Sequence, residues 1–432
     1  MQEIRSEHLS ESYTRFVHSS GLTMLLCPME GFSSAYALFA TRYGSVDTCF
    51  KTQDDPGFVT VPEGIAHFLE HKLFESEDGD AFSRYAVTGA SANAYTSFDR
   101  TAYLFSCTEN FRDSIEILLD FVTKPYFTQK TVEKEQGIIG QEIRMYEDDA
   151  EWRVMFNLLR ALYHENPVRI DIAGTIESIA EIDADLLYRC YNTFYNLHNM
   201  VLVVAGNCAL SDVTEAAAKI LMPAPAMAIE RKSPKSEPRE VKMPKIEQSL
   251  PVAQPLFHIG FKGEAGRPEE TLQGQIFDET LCDILAGEAS PLYRKLYDQG
   301  MINATFGFDT LSARDYAVVM FAGESKDPEA VQQALLAEIV RAKKEGLDRA
   351  AFARSKKAAW GRYVGMYGKV PSMASVLLST AFADTDGYHP LEIVAAMTCE
   401  QLEERMNTSL DERYCAISII RSAHATEDRG AQ

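Results

Sequence analysis

The sequence predicts an α+β protein made of two homologous α/β-sandwich domains, each an antiparallel sheet with helices packed on it. Short apolar strand patterns alternate with amphipathic helical patterns along the chain. A Pro-rich stretch divides the 432 residues near the middle, and the order of patterns before it returns after it. Such a repeat indicates an internal duplication. We expect an N-terminal domain over 1–222, a linker or crossing segment over 223–255, and a C-terminal domain over 256–432.

The first half contains strand patterns, helical patterns and turn residues in an order that predicts one domain. Runs rich in β-branched and aromatic residues predict strands at 14–17, 23–28, 34–40, 92–96, 101–106 and 200–205. Apolar residues at helical spacing predict helices at 64–74, 81–88, 131–146, 152–163 and 182–195, with another between Asn110 and Pro125. Asn110 is expected to cap that last helix.

The second half repeats this plan after a segment without periodicity. Prolines mixed with charged residues fill the stretch from about 222 to 255, which is typical of a linker. A strand pattern at 314–321 is followed by helices at 328–344 and from about 349. The same order of strand, helix and helix begins at Arg100 in the first half.

Three polar side chains stand on a helix that is otherwise apolar nearly all round. His67, Glu70 and His71 are three and four residues apart, so they share one helix face. Neutral imidazoles are the commonest metal ligands, and a carboxylate between them could take a proton from a water that the metal activates. The spacing therefore predicts a zinc site, although a purely structural His-Glu-His cluster is the alternative.

A third ligand is expected on the helix at 131–146. Glu135 and Glu142 are seven residues apart, and so share a face with Ile138 and Ile139. Carboxylates on an apolar face are costly unless they are paired or bound to metal. We assign Glu142 as the third zinc ligand and Glu135 as a carboxylate outside the ligand set that orients a ligand or tunes the metal. A solvated acidic face is the alternative.

At these residues the chain resembles the pitrilysin/insulinase family, the inverzincin or M16 zinc metallopeptidases. The family pattern is H-x-x-E-H followed some seventy residues later by E-x6-E. His67, Glu70, His71, Glu135 and Glu142 all match it. The resemblance, closest to short bacterial members of the processing-peptidase type, implies domains of the LuxS/MPP-like metallohydrolase type. It also implies one Zn²⁺ per chain and Glu70 as general base.

The resemblance extends to residues 89–98, which look like the family's substrate-binding edge strand. It implies that Asn93 and Ala94 contact the substrate by strand addition. An ordinary interior strand is the alternative for this segment.

The second half lacks the zinc motif, so the C-terminal domain is expected to be metal-free. Family members often carry an Arg and, seven residues on, a Tyr in this half. Arg294 is instead followed at that distance by Met301. Because the family closes four such domains around a chamber, the resemblance implies a homodimer, or a heterodimer with a related metal-free chain.

Bulk properties restrict the other possibilities. A net charge of −21 argues against nucleic-acid binding. Scattered cysteines without a C-x-x-C pair, a charged N-terminus and no apolar run of membrane-spanning length predict a cytoplasmic protein that does not enter a membrane.

The function that we expect is zinc-dependent endopeptidase activity on peptides or short unfolded polypeptides inside a closed chamber. One alternative is a peptide-binding subunit of a heterodimeric processing peptidase, either non-catalytic or dependent on a partner. The other is a metal-dependent hydrolase that acts on an amide in a small molecule.

Overall fold

The computed structural model describes residues 1–77, 79–232 and 237–423. The strands are β1 (Gln2–Arg5), β2 (Ser12–Val17), β3 (Thr23–Pro28), β4 (Ala35–Thr41), β5 (Cys49–Thr52), β6 (Val59–Thr60), β7 (Glu75–Ser76), β8 (Gly79–Asp80), β9 (Ser91–Thr96), β10 (Thr101–Cys107), β11 (Met200–Gly206), β12 (Ile229–Arg231), β13 (Lys245–Leu250), β14 (Leu256–Lys262), β15 (Gly307–Ala313), β16 (Tyr316–Glu324) and β17 (Cys415–Ser422).

The α-helices follow the predicted pattern in most of the first half. They are α1 (Ile65–Leu73), α2 (Ala81–Thr88), α3 (Phe111–Thr123), α4 (Gln129–Asp148), α5 (Ala150–Leu162), α6 (Ile176–Ala180), α7 (Ala184–Phe194), α8 (Leu210–Ile220), α9 (Pro268–Ala286), α10 (Pro291–Asp298), α11 (Pro328–Glu345), α12 (Arg349–Tyr367), α13 (Val370–Phe382), α14 (His389–Ala396) and α15 (Cys399–Ser409).

The chain forms two compact units. Unit 1 consists of Met1–Ile143, Asp171–Lys232 and Val364–His389. Its main sheet has the strand order β1-β2-β3-β11-β4-β10-β9, in which β3 and β11 are parallel and the other neighbours antiparallel. The strand β9 therefore lies at one end of this sheet.

Both faces of the central strands of unit 1 are buried. On β4, Ala37 and Phe39 belong to the main hydrophobic core, and Leu38 and Ala40, which point to the opposite face, are buried as well. The helix α13 contacts both β4 and β11. A strand covered on both sides reads as a continuous apolar run, which is how β4 and β11 appear in the sequence.

Unit 2 consists of Arg144–Ile170, Ser233–Tyr363 and Pro390–Gln432. Its sheet has the order β13-β17-β14-β16-β15, with β13 and β17 parallel and the other neighbours antiparallel. This is the order β3-β11-β4-β10-β9 of unit 1, with the parallel pair in the same place. The shared order, including the single parallel pair, confirms the two homologous domains predicted from the sequence.

The domain boundaries differ from the contiguous 1–222, 223–255 and 256–432 that the sequence suggested, because each unit takes one helix from the other half of the chain. In unit 2, Val154 of α5 packs with Leu256 and Ile420 on the sheet. The side chain of Leu158 fills the space where a side chain of Gly260 would be. In unit 1, α13 comes from the second half of the chain and packs on β4 and β11.

The predicted linker is also more ordered than its composition indicates. Strand β12 pairs with β5 in unit 1, and β13 pairs with β17 in unit 2. Residues 233–236 of the linker, Asp78 of a predicted turn and 424–432 of the predicted C-terminal domain lie outside the described residues. Within the described ranges, no helix is both long and apolar enough to cross a lipid bilayer.

One predicted cap is wrong. Asn110 directly precedes α3, but it has a positive φ of 53° and makes no side-chain bond to the helix N-terminus. Its Nδ2 instead donates to the Thr88 carbonyl at 2.9 Å. Asn tolerates this backbone conformation better than most residues. The bond from its side chain to Thr88 connects the start of α3 to the end of α2.

Candidate metal centre

The helix that carries the predicted motif begins at a glycine. Gly64 has a φ of 86°, and a Cβ at this position would lie 2.4 Å from the Ala173 carbonyl oxygen. A residue with a side chain would therefore be strained twice over, by its backbone conformation and by this close approach. The start of α1 is consequently fixed against the segment around Ala173.

The end of α1 is fixed against α4. Lys72 is fully buried, and its Nζ pairs with the Glu75 carboxylate and lies 3.5 Å from the Thr131 carbonyl oxygen in the first turn of α4. A buried ammonium must be paired to be tolerated. This pairing holds the C-terminal end of α1 beside the N-terminal end of α4.

The helix α4 presents both predicted carboxylates toward α1. Glu135 is buried, and the side chain of Glu142 is 22% exposed. Ile139 is fully buried, as expected for this face, but Ile138 is 46% exposed. The predicted apolar face is therefore narrower than its sequence spacing suggested, because adjacent residues on a helix are about 100° apart.

His67, His71 and Glu142 converge on one point. Each offers a ligand atom within 4.8 Å of the others, and this is the one such group of three within the described ranges. The Nε2 atom of His67 lies 3.7 Å from Glu142 Oε1, and the Nε2 atom of His71 lies 3.5 Å from Glu142 Oε2. The structure thus brings together the three side chains that the spacing selected as ligands.

These three residues fit a zinc ion. Ligand atoms about 2.0–2.2 Å from a tetrahedral zinc are about 3.3–3.6 Å apart, close to the separations of the nitrogen and oxygen atoms here. Two imidazoles and one carboxylate are also a ligand set found in catalytic zinc sites, which keep a fourth position open.

Glu135 lies behind one of the imidazoles. Its Oε1 is 3.0 Å from His71 Nδ1. When Nδ1 carries the proton and donates it to this carboxylate, the lone pair of Nε2 faces Glu142. His67 has no comparable support, since its buried Nδ1 has no hydrogen-bond partner among the described residues.

Burial sets the protonation of His67. Together with the neighbouring His71, it lowers the pKa of His67 to about 3, so that this imidazole is neutral near pH 7. For His71, burial also acts to lower the pKa, but the bond to Glu135 and the nearby carboxylates outweigh it and raise the pKa. His71 must lose this proton to act as a ligand.

Glu70 lies on the same helix face but outside the group of three ligands. It is buried, and this burial raises the pKa of its carboxyl group. Thr96 Oγ1 donates to Glu70 Oε2 at 2.7 Å, which opposes the shift. Thr96 could not be singled out from the sequence, because a lone threonine on a strand has no motif spacing.

The strand β9 is an edge strand, since it pairs with β10 alone among the described strands. Ser97 N–H bonds to the Arg100 carbonyl, so that the backbone of Ala94, three residues earlier, points to the open edge. Asn93 is exposed, and its Oδ1 accepts the Ala94 N–H at 2.8 Å. The interior-strand alternative is therefore wrong for this segment.

Unit 2 has the same framework without these ligands. Its helix α9 contacts the edge strand β15, as α1 contacts β9. The buried Asp278 of α9 is held by two bonds from Arg405, at 2.6 and 3.0 Å. Within the described part of unit 2 no three residues form a potential metal site.

Models of known protein families match both halves of the chain. The model described as "Insulinase (Peptidase family M16)" matches residues 61–176, which include all five motif residues. The model described as "Peptidase M16 inactive domain" matches residues 181–359. The two models thus divide the chain into a part with the motif and a part without it.

Individual relatives give the same assignment. The uncharacterized zinc protease YmfH of Bacillus subtilis (strain 168) is 38% identical over 410 residues, covering 93% of this chain and 95% of its own. The mitochondrial-processing peptidase subunit beta of Caenorhabditis elegans is 34% identical over 149 residues, which cover 33% of this chain and 32% of that protein.

A solved structure agrees over nearly the whole length. An M16-like peptidase from Alicyclobacillus acidocaldarius superimposes with a TM-score of 0.92 at 33% identity, covering 97% of this chain and 100% of the other. Identity at this level across almost the entire chain, together with the two family models, shows that this protein belongs to the insulinase (M16) family of peptidases.

Proposed function

We propose that this protein is a zinc-dependent endopeptidase that hydrolyses peptides or short unfolded polypeptides, with Glu70 as general base. The observation that carries the proposal is the convergence of His67, His71 and Glu142, with Glu70 beside them on the same face of α1. Relatives named zinc proteases support the choice of metal.

The protein supplies the ligands and the base. His67, His71 and Glu142 would hold the ion, and Glu135 would orient the His71 ring. A bound Zn²⁺ would supply Lewis-acid chemistry, polarising the scissile carbonyl and acidifying water. Glu70 would take a proton from the attacking water and pass it to the leaving amine.

The edge strand β9 would hold the substrate in an extended conformation. A peptide that adds to the open edge forms main-chain hydrogen bonds with it, and these depend little on sequence. Ala94 would offer its N–H once the Asn93 side chain releases it. Asn93 and Ala94 are thus the proposed substrate contacts.

A partner chain is part of the proposal. Unit 2 offers no second metal site among its described residues, and one relative is named as a subunit of a processing peptidase. We propose a homodimer, or a heterodimer with a related metal-free chain. The closed chamber and the cytoplasmic location remain predictions.

The test is cleavage of a mixed pool of unstructured peptides by the purified, zinc-loaded chain, read by mass spectrometry. The wild-type chain should cut peptides internally, whereas Glu70→Gln should keep its zinc and lose activity by about a hundredfold to ten-thousandfold. The matched control is Glu133→Gln, an exposed glutamate of α4, which should behave as the wild type.

Two outcomes would contradict the proposal. Full activity in Glu70→Gln would remove Glu70 as the base. Absence of cleavage by the zinc-loaded wild-type chain would refute a self-sufficient peptidase. In that case it would favour the alternative, a subunit that acts only with a partner.

A further inference from the structure

A threonine on the edge strand has no role in the scheme above, although it contacts the proposed base. Thr96 is the last residue of β9, and α1 contacts this strand. Its Oγ1 lies 2.7 Å from Glu70 Oε2. When Glu70 is ionised, its carboxylate only accepts hydrogen bonds, and so the hydroxyl of Thr96 must be the donor.

Among the neighbours of the Thr96 hydroxyl, the Glu70 carboxylate is the best-placed hydrogen-bond acceptor. The hydroxyl of Thr101, in the adjacent strand, is 3.4 Å away from that of Thr96. Thr101 is fully buried and donates its own proton to the Tyr43 carbonyl at 2.9 Å. The Glu70 carboxylate is therefore the acceptor that is within short hydrogen-bonding distance of Thr96.

The position of the Thr96 side chain is fixed from two directions. Thr96 pairs with Thr101 across the β9–β10 hairpin, and the bond from Ser97 N–H to the Arg100 carbonyl, at 2.8 Å, closes that hairpin. A β-branched side chain on a strand also has few χ1 rotamers available. The hydroxyl is thus held in place before it meets Glu70.

A carboxylate without such a contact would rotate. The terminal torsion of Glu is broad and roughly two-fold, so that either oxygen could face the substrate. The bond from Thr96 engages Oε2, and within the described ranges Oε1 receives no hydrogen bond. One oxygen is therefore anchored, and the other remains for proton transfer.

We infer that Thr96 is a positioning residue, which holds Glu70 Oε2 so that Oε1 is presented to the attacking water. The inference rests on the proposed function, since it assumes that Glu70 is the base. It also links two parts of the site, because Thr96 belongs to the strand on which the peptide would lie. The position of β9 and the orientation of the Glu70 carboxylate would then both depend on the β9–β10 hairpin.

The test compares Thr96→Val, which keeps the shape but removes the hydroxyl, with Thr96→Ser, which keeps the hydroxyl. We expect kcat of Thr96→Val to fall by about tenfold to a hundredfold, the effect of one lost hydrogen bond to a charged group. KM and zinc content should be unchanged, and Thr96→Ser should recover most of kcat. Thr214→Val, at a half-buried threonine of α8 outside the site, controls for the change of residue type.

A second measurement separates orientation of the base from a merely structural role in β9. Binding of an uncleaved peptide should be equally tight to Glu70→Gln and to Glu70→Gln/Thr96→Val. Weaker binding to the double variant would overturn the inference, because it would assign Thr96 to the shape of the strand. Unchanged kcat in Thr96→Val would also overturn the inference. So would a kcat of Thr96→Ser as low as that of Thr96→Val.

The design distinguishes this inference from the proposed function. If the wild-type chain does not cleave peptides, a self-sufficient peptidase is refuted before Thr96 is tested. If it cleaves and Glu70→Gln does not, only the Thr96 inference remains open to refutation. Should Thr96→Val fail to fold, Thr96→Ala against Thr96→Ser gives the same comparison.

Discussion

Unit 1 and unit 2 share five strands in the same order, yet among the described residues unit 1 alone carries a candidate metal centre. In unit 1 the helix beside the edge strand presents His67 and His71 to Glu142. In unit 2 the buried carboxylate of the corresponding helix, Asp278, is neutralised by Arg405. The two units thus share a fold, and the candidate metal centre depends on a few side chains in one copy of it.

Each unit also includes a helix from the other half of the chain, which the duplication alone does not explain. Helix α5 comes from the first half of the chain and packs on β14 and β17 of unit 2. Helix α13 comes from the second half and packs on β4 and β11 of unit 1. Similarity between the units therefore does not make either half an independent domain.

The largest effect is expected where the two units differ most. His71→Ala removes one of the three proposed ligands, and we expect the dialysed variant to lose its zinc and all peptide cleavage. Metal analysis by mass spectrometry measures this directly. The control is His198→Ala, which removes a histidine outside the ligand group. Full zinc occupancy in His71→Ala would show that the metal lies elsewhere.

The second prediction tests the exchanged helix. Leu158 of α5 is fully buried against Gly260 of unit 2, and so Leu158→Ala should cost about 2–5 kcal/mol of stability, as large-to-small core substitutions do. The loss should appear as faster hydrogen exchange in β14 and β17. A half-buried leucine of α7 in unit 1 provides the control, Leu186→Ala, which should leave that exchange unchanged. Altered exchange confined to unit 1 in Leu158→Ala would contradict the assignment of α5.

The third prediction concerns the carboxylate behind His71. Glu135→Gln keeps the size of the side chain but weakens its hold on His71 Nδ1. We expect zinc affinity to fall by about tenfold to a hundredfold, the usual effect of losing such a partner. Competition with a chelator gives the affinity, and Glu133→Gln on the same helix is the control. An unchanged affinity would mean that packing alone orients His71.

The smallest effect is expected at the edge strand. Ala94→Pro removes an N–H that points to the open edge, where proline is tolerated because no ladder bond is lost. If peptides add to β9, KM should rise by about fivefold to tenfold, the value of one main-chain hydrogen bond. Ala94→Ser keeps the N–H and should keep KM. Equal KM in both variants would argue against strand addition at this residue.

Local patterns made the candidate site predictable. His67, Glu70 and His71 lie within little more than one helical turn, so their common face follows from helix geometry alone. Glu135 and Glu142 are two turns apart on one helix, where the cost of carboxylates on an apolar face selected them, and the family pattern agreed with this choice. The five residues could be proposed together because each helix needed only its own periodicity.

Long-range packing was harder to predict. The burial of α5 in unit 2 depends on contacts such as Leu158 with Gly260, which are far apart in the sequence. The strand β13 lies in a Pro-rich, charged segment, and its pairing with β17 outweighs that composition. Thr96 could not be selected, because the role that we infer for it rests on one hydrogen bond between two elements.

The most direct test of the account is a crystal structure of the zinc-loaded chain with anomalous diffraction recorded at the zinc edge. We predict one anomalous peak per chain, about 2.0–2.2 Å from ligand atoms of His67, His71 and Glu142. A peak in unit 2, or none between these three residues, would contradict the claim that unit 1 alone holds the catalytic metal.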